Sequence, residues 1–363
     1  MGHPEIENRT PFAFDALFVN DEEMRPIVAP VVKATFDILR GGGLELAEEQ
    51  IPLSFAGECH GEPGQSSQRI EPEMAFMKPT TDIVLIGHAH APARRAVTVD
   101  VAVRVGSLER RLRVTGDRVW RKGLFRISAS APDPFEKIPL VYERAYGGWD
   151  RGHADPEKHS FHPGNPVGIG FRKGRSHFEE ESRLPNIEDP QAALTTYLGK
   201  SLPAGFGFIC PHWEPRSALA GTYDDTWMRT RMPLLPRDFD RRFFNAASPG
   251  LITSRYLRGD EPVIVRGASP EGQISFRLPG IQPPASRLSF HDRADETLQS
   301  NLDTVIVDLD ARKLILLWRA FTVLREGPLD VRGIEVTATN APERRALIEL
   351  PKNVVRLPAR QAA

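Results

Sequence analysis

The chain has 363 residues, and 47 Lys and Arg against 48 Asp and Glu give it a formal net charge of -1. Its 40% hydrophobic and 26% charged residues are typical of a globular protein and exclude collagen, coiled coils and fully disordered chains. A near-neutral chain has no large electric field to steer it onto nucleic acid or an anionic membrane, so we expect neither as a partner.

The two cysteines, Cys59 and Cys210, lie far apart in the sequence. Such a pair does not make a disulfide scaffold, and we expect both to be reduced and packed. The N-terminus lacks the charged and apolar regions of a secretory signal. The most apolar stretch, Leu302–Leu324, is interrupted by charges such as Asp308 and cannot span a bilayer as a helix. We therefore expect a cytoplasmic protein.

The first elements along the chain are predicted strands. Thr81–His90 is an apolar, β-branched run, and Ala96–Val105 alternates between valines on one face and polar residues on the other. This period of two is the signature of a half-buried strand. Gly106-Ser107 predicts a hairpin turn into Leu108–Thr115, and Gly116-Asp117 predicts a second turn before another strand. Consecutive strands with tight turns favour antiparallel pairing.

The middle of the chain, Asp133–Pro249, is crowded with Pro, Gly, His and aromatic residues and holds neither period for long. Disordered chains are poor in aromatics, so we expect an irregular but ordered segment. Within it, Pro236–Ala247 is the best candidate for a helix, with Pro236 near its start. The last third returns to short β-rich runs separated by turn residues, namely Pro262–Arg266, Gln273–Leu278, Asp303–Leu309, Lys313–Leu317 and Val331–Ala338.

These patterns predict a mainly β protein with few short helices. We expect an N-terminal antiparallel β domain over residues 11–150, an irregular ordered segment over 151–250 and a C-terminal β domain over 251–350, followed by a loose tail at 351–363. Alternation fixes which face of a strand is buried but not which strands pair, so sandwich and barrel stay open.

The sequence carries none of the common catalytic and cofactor signatures. No P-loop, nucleophile elbow or zinc-protease motif is present. Gly168-Ile169-Gly170 begins a dinucleotide-like pattern, but Lys173 stands where the third glycine belongs. We therefore expect no cofactor and no enzymatic activity.

The best alternative to a protein without a cofactor is a metal site built from histidines. His88 and His90 are spaced to share one face of a strand and would need a third metal ligand. The simpler interpretation is that both are hydrogen-bonded polar residues near a strand end. The candidates for the third ligand are His60, His153, His159, His162 and His177.

Eight basic residues fall between positions 104 and 126. They could form a basic ribbon for an acidic partner, although a solvated hairpin with a basic outward face explains them more simply. They are Arg104, Arg110, Arg111, Arg113, Arg118, Arg121, Lys122 and Arg126.

Eight short runs, in this order along the chain, resemble one bacterial family. They are KPTTD from Lys78, GDRVW from Gly116, PLVYERAYGG from Pro139, NPVG from Asn165, LPNIE from Leu184, PAGFG from Pro203, GTYD from Gly221 and PLLPRDFD from Pro233. The family is that of the type VI secretion system effector adaptors or chaperones, long catalogued only as a domain of unknown function. The resemblance covers roughly residues 11 to 325.

The resemblance implies a non-enzymatic adaptor that binds an effector toxin protein and helps load it onto the VgrG spike, often with a PAAR-repeat tip protein. It carries over no catalytic residue. Surfaces that hold a protein partner are rich in aromatics and Arg. The residues of those types that we select as candidate partner contacts are Tyr146, Trp149, Trp213, Trp227, Arg241 and Phe243.

Two alternatives stay open. One is a hydrolase or lyase whose site is built from scattered residues such as His88, His90, His162 and Asp224. The other is a structural part of the secretion machine or a carbohydrate-type β binding module.

Overall fold

A computed structural model describes residues 4–93, 95–173 and 178–342. Strands make up 38% of the protein and helices 7%, so the prediction of a mainly β protein with few helices is confirmed. The strands form three larger sheets and several two-stranded ones, and no sheet closes into a barrel within the described ranges.

The first thirteen strands lie between residues 5 and 139 of the described chain. They are β1 (Glu5–Asn8), β2 (Ala13–Asn20), β3 (Pro26–Ile38), β4 (Leu44–Leu46), β5 (Glu58–Cys59), β6 (Gln68–Ile70), β7 (Asp82–Ile86), β8 (His88–His90), β9 (Thr98–Val105), β10 (Leu108–Thr115), β11 (Trp120–Lys122), β12 (Ile127–Ala129) and β13 (Lys137–Pro139).

The middle segment holds short strands and helical turns. Its strands are β14 (Tyr146–Gly147), β15 (Trp149–Asp150), β16 (Ser160–Phe161), β17 (Ile169–Gly170) and β18 (Ile187–Glu188). Its one described α-helix is α1 (Asp225–Thr230), which Asp224 caps by accepting a hydrogen bond from the Trp227 N–H. The 3₁₀ turns in this part of the chain are Tyr142–Arg144, Pro156–Lys158, Ser217–Leu219 and Arg241–Phe244.

The described part of the last third adds eight strands and the 3₁₀ turn Pro328–Asp330. The strands are β19 (Pro262–Arg266), β20 (Gln273–Arg277), β21 (Ala285–Phe290), β22 (Glu296–Gln299), β23 (Asn301–Asp308), β24 (Lys313–Arg319), β25 (Thr322–Val323) and β26 (Val331–Thr337). All five strands predicted in this region are confirmed to within two residues at each end.

The largest sheet has the order β2-β3-β24-β23-β7, and β4 and β25 also pair with β3. The 13-residue strand β3 pairs with four other strands of this sheet and is buried along almost its whole length. Its sequence is correspondingly apolar and β-branched, as strands covered on both faces require. Strands β7 and β23 run parallel, with Ile83 opposite Val305. This pairing departs from the antiparallel expectation.

The second sheet has the order β18-β10-β9-β19-β20. The hairpin of β9 and β10 is confirmed, and β9 buries Val101, Val103 and Val105 while Asp100 and Arg104 face outward. The predicted turn at Gly116-Asp117 does not fold β11 back onto β10. Instead β11 pairs with β12, because Gly116 donates its backbone hydrogen bond to Val97 and the chain continues away from the sheet.

The third sheet has the order β1-β26-β21-β22, with β1 parallel to β26. All three sheets combine strands that are distant in sequence, since β3 pairs with β24, β9 with β19 and β1 with β26. The expected arrangement of two sequential β domains is therefore not confirmed. The predicted tail, 351–363, lies outside the described residues.

Two further points concern helices. The predicted helix Pro236–Ala247 is wrong: only Arg241–Phe244 is helical, and as a 3₁₀ turn. The physical reason is tertiary, because Asn245 and Ala246 are held extended by hydrogen bonds to Asp82. Among the described residues, no helix is long and apolar enough to cross a membrane.

Candidate partner-binding surface

The candidate surface is built on two small sheets that cross at a pair of glycines. Strand β14 pairs with β17 in parallel, and β15 pairs with β16 antiparallel. Gly147 and Gly148 join β14 to β15 with φ angles of 149° and 88°. A Cβ at Gly148 would lie 2.0 Å from the Gly168 carbonyl oxygen, so only glycine permits this approach.

Asn165 fixes the crossing from inside. Its side chain is buried, and its Nδ2 donates to the carbonyl oxygens of Tyr142, at 2.8 Å, and Tyr146, at 3.0 Å. Its backbone carbonyl accepts a hydrogen bond from the Gly148 N–H at 2.8 Å. The YGG and NPVG runs therefore act together as a rigid structural support for the adjacent surface.

An aromatic pair stands on this support. Trp149 of β15 and Phe161 of β16 are cross-strand partners, and their ring centroids lie 4.9 Å apart. Trp149 is 45% exposed and Phe161 is 46% exposed. The Arg151 guanidinium carbon lies 5.2 Å from the centre of the Trp149 ring, within cation–π distance. Two large aromatics and an arginine are thus presented to solvent together, and we call them the Trp149 surface.

A cavity of about 640 Å³ opens beside the Trp149 surface. Its walls include Trp149, Arg151, Val167 and Arg172. Arg172 is held in place by an ion pair with Glu179 at 3.0 Å, and its guanidinium carbon lies 5.7 Å from the Tyr197 ring centre. The cavity is therefore lined by both polar and apolar side chains, as expected for a site that orients a partner group.

The six candidate contact residues fall in three places. Tyr146 and Trp213 are each only 2% exposed. Tyr146 packs beside His162, and Trp213 packs edge-on against Tyr142, with ring centroids 5.7 Å apart. In this conformation these two side chains serve the protein's own core. A partner would reach them only after a local opening of the fold.

Trp227, Arg241 and Phe243 lie in a separate region around α1 and the following 3₁₀ turn. Trp227 is half-buried and donates from Nε1 to the Leu234 carbonyl oxygen at 2.8 Å. Arg241 forms an ion pair with Glu22 at 2.5 Å, and Phe243 lies beneath Arg216. These groups already have partners within the chain. Within the described ranges, none of these three side chains forms a hydrogen bond, ion pair or ring contact with Trp149.

A cluster of buried charges includes Asp82 of β7, a strand of the largest sheet. Its only signal in the sequence is the KPTTD run. The Lys78 ammonium bonds Glu71 and Asp82, the latter at 2.8 Å, and Arg216 lies 3.4 Å from Glu71. Burial raises the pKa of Glu71, although Lys78 and Arg216 oppose the shift. Burial alone would lower the pKa of Lys78, but Asp82 and Glu71 outweigh it and the pKa is raised. The four charges balance, which is the arrangement that makes buried charge tolerable.

The residues of the hydrolase alternative are engaged separately. His88 contacts Asp310 through Nδ1 at 2.9 Å, and Asp224 caps α1. His162 lies between Tyr146 and Phe171, where burial lowers its pKa. His90 pairs across strands with Lys137. The structure gives no hydrogen bond between any two of these four residues.

The metal alternative likewise lacks a site among the described residues, because no three His, Cys, Asp or Glu side chains there converge as ligands. His177, one of the proposed third ligands, lies outside the described residues. Both cysteines are free thiols, as expected, but only Cys210 is buried, and Cys59 is partly exposed.

Sequence reasoning missed two features of the exposed surface. It did not select Phe161, which is half exposed beside Trp149. It also passed over Leu124 and Phe125, which are largely exposed. The signal was available, since two adjacent large apolar residues between cations break the alternation of a solvated hairpin.

Comparison with known proteins gives a family. A family model described as an uncharacterized protein conserved in bacteria, DUF2169, matches residues 23–319, and the chain belongs to this family. No curated protein matches the chain, and no solved structure does.

Proposed function

We propose that this protein is a non-enzymatic adaptor that holds another folded polypeptide through the Trp149 surface. Specifically, the partner is a type VI secretion effector, which the adaptor helps to load onto the VgrG spike and its PAAR-repeat tip. The eight collinear sequence runs support the choice of cargo. The half-exposed pair of Trp149 and Phe161 is the one observation that supports the mode of action.

The physical argument rests on exposure combined with rigidity. Trp and Arg are enriched among the few interface residues that carry most binding energy. Trp149 and Arg151 are already positioned against each other, and the glycine crossing below them leaves little backbone freedom. Binding through a preorganised patch loses less conformational entropy than binding through a mobile one. The patch is therefore suited to hold a partner and, because its area is modest, to release it.

The cavity beside Trp149 favours one competing function, a carbohydrate-type binding module. An aromatic ring next to a polar concave wall with Arg172 and Glu179 could stack on a sugar ring and hydrogen-bond its hydroxyls. The two functions differ in their ligand. An adaptor binds a protein with the Trp149 surface, whereas a sugar module binds soluble oligosaccharides without any partner protein.

The first experiment is genetic. The gene is deleted in the native strain, and the amount and export of the effector encoded beside it are measured. The proposal predicts that export of the effector falls and that a complex of adaptor and effector can be purified from the parent strain. Unchanged effector level and export in the deletion strain would contradict it.

The second experiment locates the surface. Phe161→Ala is expected to weaken effector binding by about tenfold or more, since loss of an interface aromatic costs at least about 1.4 kcal/mol at such sites. Phe55→Ala is the matched control, because Phe55 is a phenylalanine of similar exposure in the loop between β4 and β5. Equal weakening by both variants, or by neither, would remove the Trp149 surface as the binding site.

A further inference from the structure

The hairpin of β11 and β12 ends in the most exposed large apolar residues of the described chain. Leu124 is 89% exposed and Phe125 is 94% exposed. They occupy the loop Gly123–Arg126, which is closed by a hydrogen bond from the Gly123 N–H to the Arg126 carbonyl oxygen at 2.9 Å. The two side chains thus stand on a tight turn and not on a long, freely moving loop.

The base of this hairpin is anchored. Trp120 is buried, and its ring packs edge-on against Tyr197, with centroids 5.9 Å apart. The Trp120 N–H donates to the Ser182 carbonyl, and the Glu181 N–H donates to the Trp120 carbonyl. The two strands pair from Trp120–Ala129 to Lys122–Ile127, so they carry the apolar turn outward from a fixed base.

The basic run of positions 104–126 lies partly at the second sheet and partly on the hairpin. At the sheet, Arg110, Arg113 and Arg118 each form an ion pair with a carboxylate, Arg111 lies 3.9 Å from Glu109, and Arg104 is exposed without an ion pair in the described chain. On the hairpin, none of the three cations Arg121, Lys122 and Arg126 forms an ion pair within the described ranges, and all three are exposed. Three unpaired positive charges therefore surround two exposed apolar side chains at one tip.

We propose that this tip, residues 121–126, docks onto an anionic lipid surface, with Leu124 and Phe125 entering the interface and the three cations lying at the level of the lipid phosphates. Peripheral membrane binding grows with the apolar area inserted and with the attraction of basic residues to anionic headgroups. Both contributions are present within six residues. The ligand is an acidic phospholipid headgroup in a bilayer, and the binding is reversible because only two side chains insert.

A bilayer fits this tip better than a second protein does. A stable protein interface buries about 1,200–2,000 Å² in a well-packed patch, and a convex turn with two apolar side chains offers only a fraction of that. Lipid, in contrast, yields around a protruding side chain. Of the acidic run Glu179–Glu181, Glu181 bonds Trp120 through its backbone at the base of the hairpin, and Glu179 pairs with Arg172.

This inference departs from the expectation of no membrane partner. That expectation rested on the net charge of -1, which averages over the whole surface. A local cluster acts within about one Debye length, roughly 8–10 Å, so its own charge decides its partner. The inference is independent of the proposed adaptor function, since it uses none of the residues of the Trp149 surface.

The test is co-sedimentation of the full-length protein with sucrose-loaded vesicles. Vesicles of phosphatidylcholine with about 30% phosphatidylglycerol are compared with vesicles of phosphatidylcholine alone, at low and at physiological salt. The wild-type protein is expected to sediment with the anionic vesicles, to bind them less tightly at higher salt, and to stay in the supernatant when the vesicles are neutral.

Two variants assign the binding to the tip. Leu124→Ser with Phe125→Ser is expected to reduce the partition coefficient by about tenfold or more. Arg121→Gln with Lys122→Gln and Arg126→Gln is expected to remove the preference for anionic vesicles. Leu202→Ser, at another largely exposed leucine, is the control and should bind like the wild type. Far-ultraviolet circular dichroism and the melting temperature establish that each variant is folded.

Three results would overturn the inference. One is a wild-type protein that does not sediment with anionic vesicles, and another is a serine variant that sediments as well as the wild type. The third is that no protein binds vesicles, while every protein except the serine variant forms a complex with the effector. That result would make the tip a protein contact.

Discussion

Replacing Lys78 by methionine should destabilise this protein strongly. Lys78 is buried and bonds both Glu71 and Asp82, and Arg216 lies 3.4 Å from Glu71. Lys78→Met leaves two buried carboxylates against one guanidinium. Removing one partner of a buried ion pair costs about 3–5 kcal/mol, which is a large share of a typical unfolding free energy of about 5–15 kcal/mol.

The loss should depend on pH with a definite sign. The pKa of Glu71 is already raised by burial, against the attraction of Lys78 and Arg216. Without Lys78 it rises further, so the folded variant takes up a proton that the unfolded chain does not hold. Protonation relieves the unpaired charge, and the variant's deficit should therefore be largest near pH 8 and should shrink as the pH falls towards 5.

The assay is urea unfolding followed by tryptophan fluorescence at several pH values. Lys158→Met is the matched control, because Lys158 pairs with Asp155 on the surface at 3.8 Å and such pairs contribute about 0–1 kcal/mol. Lys78→Met with Glu71→Gln should recover part of the loss, since it restores a balance between Asp82 and Arg216. A Lys78→Met cost below about 1 kcal/mol, or a deficit that grows at lower pH, would refute this reasoning.

Two further predictions concern single residues. Gly148→Ala should lower the free energy of unfolding in urea by at least about 2 kcal/mol, because the new Cβ would meet the Gly168 carbonyl oxygen at 2.0 Å. Gly41 has the same φ of 88° but open space around it, so Gly41→Ala should lower it by only about 1 kcal/mol through backbone strain. Equal costs would contradict the close crossing. Burial raises the pKa of the Cys210 thiol to about 11, so at pH 8 the folded protein should expose one reactive thiol, Cys59, to Ellman's reagent, and two after denaturation; rapid reaction of both in the native state would contradict that burial.

Local pattern was sufficient to locate many strands. The alternating valines of β9 and the turn at Gly106-Ser107 predict a hairpin, and the structure contains it with Val105 opposite Leu108. A hairpin is closed by residues that are adjacent in sequence, so its signal lies in one short window. Local pattern also located β19 and β20 as separate strands, and the structure pairs them across six residues.

Long-range pairing could not be predicted in this way. Strand β3 meets β24 nearly 280 residues later in the chain, and β7 meets β23 more than 200 residues later. Alternation tells which side of each strand is buried but not its neighbour. Each predicted domain consisted of contiguous sequence, whereas the sheets combine strands from distant parts of the chain. The predicted division into sequential domains is therefore not confirmed.

The candidate surface was predicted only in part for a related reason. Trp149 and Trp213 both occur in Pro- and Gly-rich runs, yet one is half exposed and the other is buried against Tyr142. Residue type alone does not separate an anchor for a partner from an anchor for the protein's own core. The difference depends on Phe161 and the glycine crossing, which bring together segments that the sequence separates.

The most direct test of adaptor function is a calorimetric titration of the full-length protein with its proposed partner, the purified product of a neighbouring toxin gene. Stoichiometric binding, weakened about 30-fold by Trp149→Ala as expected for loss of about 2 kcal/mol at an interface tryptophan, is the predicted result. No heat of binding with the wild-type protein, or equal affinity of the effector for the wild type and the Trp149→Ala variant, would contradict the proposed function.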